Sequence, residues 1–272
     1  MSRIILLASS AVLSGLIAVP ALAERPEDNY WLSGTAMFAA ADTTLRIDHS
    51  GGLGTGISLE KDIGLHAHET LPVVLGGARL SDHWRVEAEY LRFKRSGSAA
   101  IKRPLTIGDT TYNVNTNLAG SLESNTYRIG VGYSFVKTDT AELGVSAGFH
   151  ITRFNTSFVG TGSVNGGGQA VLVSTNRGVT APLPTLGLYG SYSLSKMFSL
   201  TGRADYLSIK IGDVKGKLID TQAGVAARVF KHVSVGAGYR YVEYDVKAEK
   251  GKFLGTLNYQ FHGPVVFAEL AF

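Results

Sequence analysis

Apolar and polar residues alternate with a period of two along most of this chain, and turn-rich segments interrupt the alternation. Trp84, Val86, Ala88 and Tyr90 interleave with Arg85, Glu87 and Glu89. Tyr127, Ile129, Val131, Tyr133 and Phe135 interleave with Arg128, Gly130, Gly132 and Ser134. Leu143 to Thr152, Leu186 to Leu194, Phe198 to Tyr206, Gln222 to Val229 and Val233 to Tyr241 repeat the pattern. So does the last stretch, in which Val266, Ala268, Leu270 and Phe272 share one face and Val265, Phe267, Glu269 and Ala271 the other. Each such run reads as a β-strand with one apolar and one mixed face.

Connections set the count. Tight turns at 81–83, 137–140, 195–197 and 231–232 alternate with longer segments at 43–61, 92–117, 160–184 and beyond, as in an up-and-down meander. Together with Tyr30–Phe38 and a weakly patterned Leu71–Leu80, this predicts ten antiparallel strands, with eight or twelve left open. At Leu207, Ile209 and Ile211 the phase reverses, which reads as a bulge or an emergence above lipid. Prolines 72, 184 and 264 read as markers of the outer rim, where a missing ladder donor is tolerated.

The apolar faces suit lipid. A tilted strand crosses a bilayer core with about nine to eleven residues. Tyr30, Trp84, Phe135, Phe198 and Phe272 form a lower aromatic row and Phe38, Tyr90, Tyr127, Phe149, Tyr206 and Tyr241 an upper one, like the two girdles of a membrane barrel. The fold class expected is therefore all-β, a transmembrane antiparallel up-and-down barrel over residues 24–272. Residues 1–23 read as a cleaved secretory signal: Arg3, an apolar run from Ile4 to Val19, then Ala21-Leu22-Ala23.

Composition narrows the chemistry. Thirty-three Gly, 12 Tyr and 12 Phe suit such a barrel, and with no Cys there is neither a disulfide nor a thiolate metal site. With 26 Lys and Arg against 22 Asp and Glu, nothing points to a nucleic-acid partner.

On Pro264 to Phe272, with its terminal Phe, the chain resembles the outer-membrane β-barrels of Gram-negative bacteria. The resemblance implies that Leu270 and Phe272 belong to a signal read by the barrel-assembly machinery, and that both termini are periplasmic. Within that class it looks like the small OmpW and opacity-protein barrels, which are associated with passage of small solutes or surface interaction. It is also similar in size to outer-membrane barrel enzymes, the omptin proteases and lipid A modifying enzymes, but their catalytic constellations do not map onto this sequence.

The strand faces send Arg79, Arg85, Glu87, Glu89, Arg128, Glu142, Arg203, Asp205, Arg228, Arg240 and Glu269 inward. Two readings follow: an interlocked salt-bridge core, or a charged constriction with Arg128, Arg203 and Arg240 as an anion-favouring tier. No catalytic set, cofactor or metal site is expected. His66 and His68 beside Glu69 have a minimal ligand spacing but no third ligand, and His150 has no carboxylate fixed beside it in sequence. A carboxylate within hydrogen-bond reach of His150, or of His66 or His68, beside a nucleophile would favour an outer-leaflet enzyme. Arg92, Lys94, Arg95, Lys102 and Arg103 are expected at the outer end of one strand, as a solvated face or a contact for lipopolysaccharide phosphates.

Overall fold

A computed structural model describes residues 29–48, 52–107, 109–164, 167–211, 214–248 and 254–272. The expected signal segment 1–23 lies outside the described residues. The strands are β1 (Tyr30–Ile47), β2 (Ile57–Ser58), β3 (His68–Arg79), β4 (Trp84–Ala100), β5 (Leu105–Ile107), β6 (Thr110–Tyr112), β7 (Asn117–Lys137), β8 (Ala141–Val164), β9 (Gly167–Ser193), β10 (Phe198–Ile211), β11 (Val214–Phe230), β12 (Val233–Ala248) and β13 (Gly255–Ala271), with one short helix, α1 (Leu59–Ile63). Ten of these strands, β1, β3, β4 and β7 to β13, pair in antiparallel succession. β1 closes the circle on β13, from Trp31↔Ala271 to Ile47↔Gly255.

The four tight turns lie together at one end, between β3 and β4, β7 and β8, β9 and β10, and β11 and β12. Every residue of both expected aromatic rows lies on the outward alternation, and Tyr30, Phe135, Phe149, Tyr206 and Phe272 are among the most exposed apolar side chains. An apolar belt therefore encircles the half of the barrel nearest the turns.

Beyond the belt the strands run on, which corrects the expected long loops. Residues 160–164 and 167–184 are strand: β8 and β9, 24 and 27 residues long, pair from Ala141↔Tyr192 up to Val164↔Gly167. The basic stretch after Arg92 stays in β4 as far as Ala100. The reversal expected at Leu207 is also absent as a backbone event, because β10 pairs with β11 without a register shift from Phe198↔Ala227 to Ile211↔Val214. What reverses is the medium. Within the belt the outside is apolar and the inside polar; above it the outside is polar and the same alternation sends apolar residues inward. Leu45, Leu91, Phe93, Leu122, Phe154, Phe158, Leu218, Val242, Tyr244, Leu257, Tyr259 and Phe261 are all buried there. The upper half thus has the hydrophobic core of a water-soluble barrel.

Helix α1 helps to fill that core. Ser58 caps it, its side chain accepting from the Lys61 amide, Gly64 ends it in a left-handed conformation, and Leu59 and Ile63 are buried. Glu60 ties it to the wall: it accepts from the Thr43 amide at 2.9 Å and from the Arg95 guanidinium, which also reaches the Thr43 hydroxyl.

The prolines sit at the level of the upper girdle rather than at the barrel's rim, and each lies where a ladder stops. β3 pairs with β4 only from Val73 downward, so Pro72 faces no β4 partner. β9 pairs with β10 only from Leu186 downward, which leaves Pro184 unpaired on that side. The β1–β13 ladder skips from Met37↔Val265 to Ala40↔His262, bracketing Pro264.

Candidate functional site

Seven strands of the belt region, β3, β4, β7, β8, β10, β11 and β12, aim charged side chains at one another across the lumen. Arg240 donates from Nε and Nη2 to the two oxygens of Asp220 at 3.0 and 2.7 Å, and from Nη2 to Glu89 at 2.7 Å. Arg203 bridges Glu89 at 2.8 Å and Asp220 at 3.4 Å. Arg128 joins Asp205 at 2.8 Å to Glu87 at 3.0 Å. Arg85 continues from Glu87 at 2.9 Å towards Glu142 at 3.9 Å, and Glu142 takes both ends of Arg79 at 3.0 and 2.6 Å. Arg203 also lies 3.6 Å from Asp205, so the chain of pairs crosses the barrel without a gap. It occupies Arg128, Arg203 and Arg240 with carboxylates, so they do not form a free anionic-solute tier.

Burial explains the pairing. A charge removed from water is costly unless a counter-charge and hydrogen bonds replace the lost solvent. Arg128, Glu142, Asp205, Asp220 and Arg240 are all nearly inaccessible. Arg228 and Glu269 also point inward, nearer the turns, with Arg228 buried and Glu269 half-buried.

Two lumen residues escaped the sequence reading. Asp220 continues the inward phase of Gln222, Gly224, Ala226 and Arg228 by one step, and that periodicity was the available signal. Tyr189 is inward on β9, where Arg85 lies 3.5 Å over its ring and 5.6 Å from that of Trp31.

His150 does acquire a carboxylate. Its Nε2 is 3.4 Å from Asp220 and its Nδ1 3.3 Å from the Thr185 hydroxyl. The order hydroxyl, imidazole, carboxylate is that of an activated nucleophile. Yet His150 has no exposed surface, and none of the three residues lines the lumen cavity. Ligand atoms of His150, Asp205 and Asp220 also fall within 4.8 Å of one another. Arg128, Arg203 and Arg240 already neutralise those carboxylates, so the cluster is a node of the ion-pair network and does not suit a cation.

A cavity of about 150 Å³ lies beneath the layer, lined among others by Trp31, Arg85, Tyr189, Phe267, Glu269 and Ala271. Above the layer, Tyr244, Phe154, Tyr259, Phe93 and Phe261 stack edge to face and tilted, with successive ring centroids 5.6, 5.6, 6.0 and 5.4 Å apart. Among the described residues the lumen lining is thus mixed polar and apolar near the turns, ionic in the middle and apolar beyond.

Of the five residues expected at the outer surface, Arg92, Lys94, Lys102 and Arg103 are exposed. Arg92 pairs with Glu123 at 3.0 Å and Arg103 with Asp62 at 3.0 Å. Arg95 is a correction. As an odd-numbered residue of β4 it points inward, is 1% exposed and holds Glu60 of α1.

In three-dimensional comparison the barrel fold resembles that of solved outer-membrane proteins. The outer membrane protease OmpT of Escherichia coli superimposes with a TM-score of 0.59 at 11% identity, over 92% of this chain and 99% of that one. The translocator domain of the autotransporter NalP from Neisseria meningitidis gives 0.45 at 14% identity, over 90% and 89% of the two chains. The Ralstonia pickettii toluene transporter TbuX gives 0.38 at 10%, over 90% of each. At these identities the likeness is one of fold. Comparison of the sequence with curated proteins finds no match. The family described as "Protein of unknown function, DUF481" matches residues 109–261, more than half of the chain and most of the strands that build the ionic layer, and the chain belongs to that family.

Proposed function

We propose that this protein is a non-enzymatic structural barrel of the outer membrane, sealed to solutes. The observation that carries the reading is the succession inside the barrel: an unbroken ion-pair layer from Arg240 to Arg79, backed by the aromatic core around Phe154 and Tyr259. A restrictive conduit needs a continuous wet path, and the core interrupts it. The enzyme alternative rests on Thr185, His150 and Asp220, which are buried and do not line the cavity beneath the layer. The belt fits the bilayer with the tight turns and both termini on the periplasmic side. Arg92, Lys94, Lys102 and Arg103 then stand above the upper girdle, where they suit lipopolysaccharide phosphates, and Leu270 and Phe272 are offered to the assembly machinery.

Planar-bilayer recording tests the seal. The purified barrel is expected to pass no steady current, and Arg203→Ala is expected to lower heat resistance without opening a conductance. A large, steady, weakly selective current from the parent protein would replace the sealed barrel with an open porin.

A further inference from the structure

One stretch of the wall is incomplete. β9 pairs with β8 from Gly167 to Tyr192, but with β10 only from Leu186↔Tyr206 to Ser193↔Ser199. β10 runs on to Ile211 with β11 alone as its partner, so β9 and β10 part at Tyr206, in the upper girdle. Among the described residues no backbone hydrogen bond crosses the seam above that pair. The comparable gap between β3 and β4, which pair only from Val73↔Leu91 downward, is filled by the residues that follow α1: the His66 amide donates to the Ser96 carbonyl at 3.3 Å.

The open edge of β9 is built for pairing. Pro182 and Pro184 sit in its continuous ladder with β8, at Ile151↔Pro182 and Phe149↔Pro184, so the even-numbered residues of β9 turn their main-chain groups away from β8. Ser174, Asn176, Gly178 and Thr180 therefore aim N–H and C=O into the seam, where the Asn176 carbonyl is met by the Arg177 guanidinium at 2.9 Å. Proline and outward charge are what protect an exposed edge. The two prolines blunt its base, but the outward residues above them are Ser, Asn, Gly and Thr. The inward phase is also incompletely covered here. Leu218, Val242 and Leu257 are fully buried at other points of the upper core, whereas Val179 and Leu207 are only partly buried and Ile209 is 36% exposed.

We propose that the seam between β9 and β10 binds an extended peptide segment of a partner protein as an added strand, one in which apolar and acidic residues alternate. Main-chain hydrogen bonds to Ser174–Thr180 hold the segment in register. Its apolar residues cover Val179, Leu207 and Ile209 and continue the upper core. Its acidic residues face outward among Arg153, Lys210 and Lys215, all exposed. Lys210 and Lys215 are directly opposite each other, a like-charge pair that an added carboxylate relieves. Residues 153–159, 174–180 and 208–210, which border the seam, contain no acid of their own. A second copy of the chain is the poorer occupant, because its seam would bring the same cations to the contact. The proposal goes beyond the sealed-barrel reading and uses the membrane orientation only to place the partner on the side away from the tight turns.

The test titrates the purified barrel, in neutral detergent, against a fluorescent ten-residue peptide of alternating Val and Glu and follows anisotropy. The parent is expected to bind it saturably, and to bind the same peptide with N-methylated amides about tenfold or more weakly, because the main-chain donors are gone. A peptide of equal composition with its valines in one block is expected to bind as weakly as the methylated one. The double variant Asn176→Pro, Thr180→Pro continues the pattern of Pro182 and Pro184 and should lose affinity for the alternating peptide to a similar degree while keeping its heat resistance. Lys210→Glu should weaken the Val-Glu peptide and favour one of alternating Val and Lys. Should the proline variant fail to fold, the methylated peptide on the parent still decides. No saturable binding would overturn the proposal, and so would equal binding of the alternating, block and methylated peptides, which would reduce the contact to charge attraction. A parent dimer in detergent that the proline variant abolishes would assign the seam to a second copy and remove the partner. None of these outcomes depends on conductance, so the sealed-barrel reading is tested separately.

Discussion

Arg240 grips both carboxylate oxygens of Asp220 from the neighbouring strand and, with the same Nη2, reaches Glu89 on β4. β12 and β4 are not paired strands, so this one guanidinium ties separate parts of the wall together through the lumen. Such cross-barrel ties take over the role that an apolar core plays in the upper half.

Removing the tie should therefore cost more than removing a surface pair. Arg240→Ala leaves Glu89 and Asp220 sharing Arg203, and breaking a buried pair costs about 3–5 kcal/mol. Heat resistance, followed by the gel-mobility change of the folded barrel, is expected to fall clearly. The double variant Arg240→Met, Asp220→Leu should recover much of the loss, because it leaves fewer uncompensated charges. A single variant as heat-resistant as the parent would mean that the layer does not hold the barrel together.

Backbone crowding gives a second, local expectation. A Cβ on Gly263 would lie 1.9 Å from the Phe38 carbonyl oxygen, at the place where the β1–β13 ladder is interrupted beside Pro264. A Cβ on Gly34, on the outward face of β1, meets nothing within 4 Å. Gly263→Ala should reduce the folded fraction recovered from refolding into detergent, whereas Gly34→Ala should leave it unchanged. Equal yields would show that the wall shifts freely at this point.

The sequence was most legible where one rule holds along a whole strand. From Trp84 to Tyr90 or from Tyr127 to Phe135, lipid outside and charge inside give an unambiguous two-residue period. The same backbone becomes hard to read once water replaces lipid, because apolar residues then mark the inside. Leu207 looked like a change of phase for that reason, yet it keeps the inward phase of Asp205, two residues before it. Arg95 misled in the opposite way: a cation in a basic run reads as surface, and only the alternation from Glu89, Leu91 and Phe93 shows that it points inward. Pairing across the barrel, as between Arg240 and Glu89, leaves no trace in local sequence.

Alkaline pH should probe the upper core. Burial pushes the Tyr244 phenol up to about 12 from an ordinary 10.0, and burial raises Tyr259 as well. The folded barrel holds these protons more tightly than the unfolded chain does. Their contribution is therefore complete below pH 10 and declines as pH rises from 10 towards 12. Denaturant midpoints measured across that range should fall, and Tyr244→Phe should flatten the fall. A phenolate absorbance titration showing either ring ionising in the folded barrel at pH 10 would contradict this account.

The last residue closes the barrel and also presents a side chain to its surroundings. The Phe272 amide donates to the Tyr30 carbonyl at 2.9 Å, and its own carbonyl accepts from the Tyr30 amide at 3.0 Å. Its ring stacks on His232, with centroids 4.9 Å apart, and remains 59% exposed at the lower girdle. Deleting Phe272 removes these bonds, a third from the Asn29 amide to the Phe272 carbonyl at 2.5 Å, and the ring, while Phe272→Ala keeps the bonds and removes only the ring. If the exposed aromatic is what the assembly machinery reads, membrane insertion in cells should fall for both variants. Unassisted refolding into detergent should suffer mainly in the deletion, which alone loses backbone closure. Normal insertion of Phe272→Ala with poor insertion of the deletion would reduce Phe272 to a closing residue. Normal insertion of both would remove the carboxy-terminal strand end from any role in assembly.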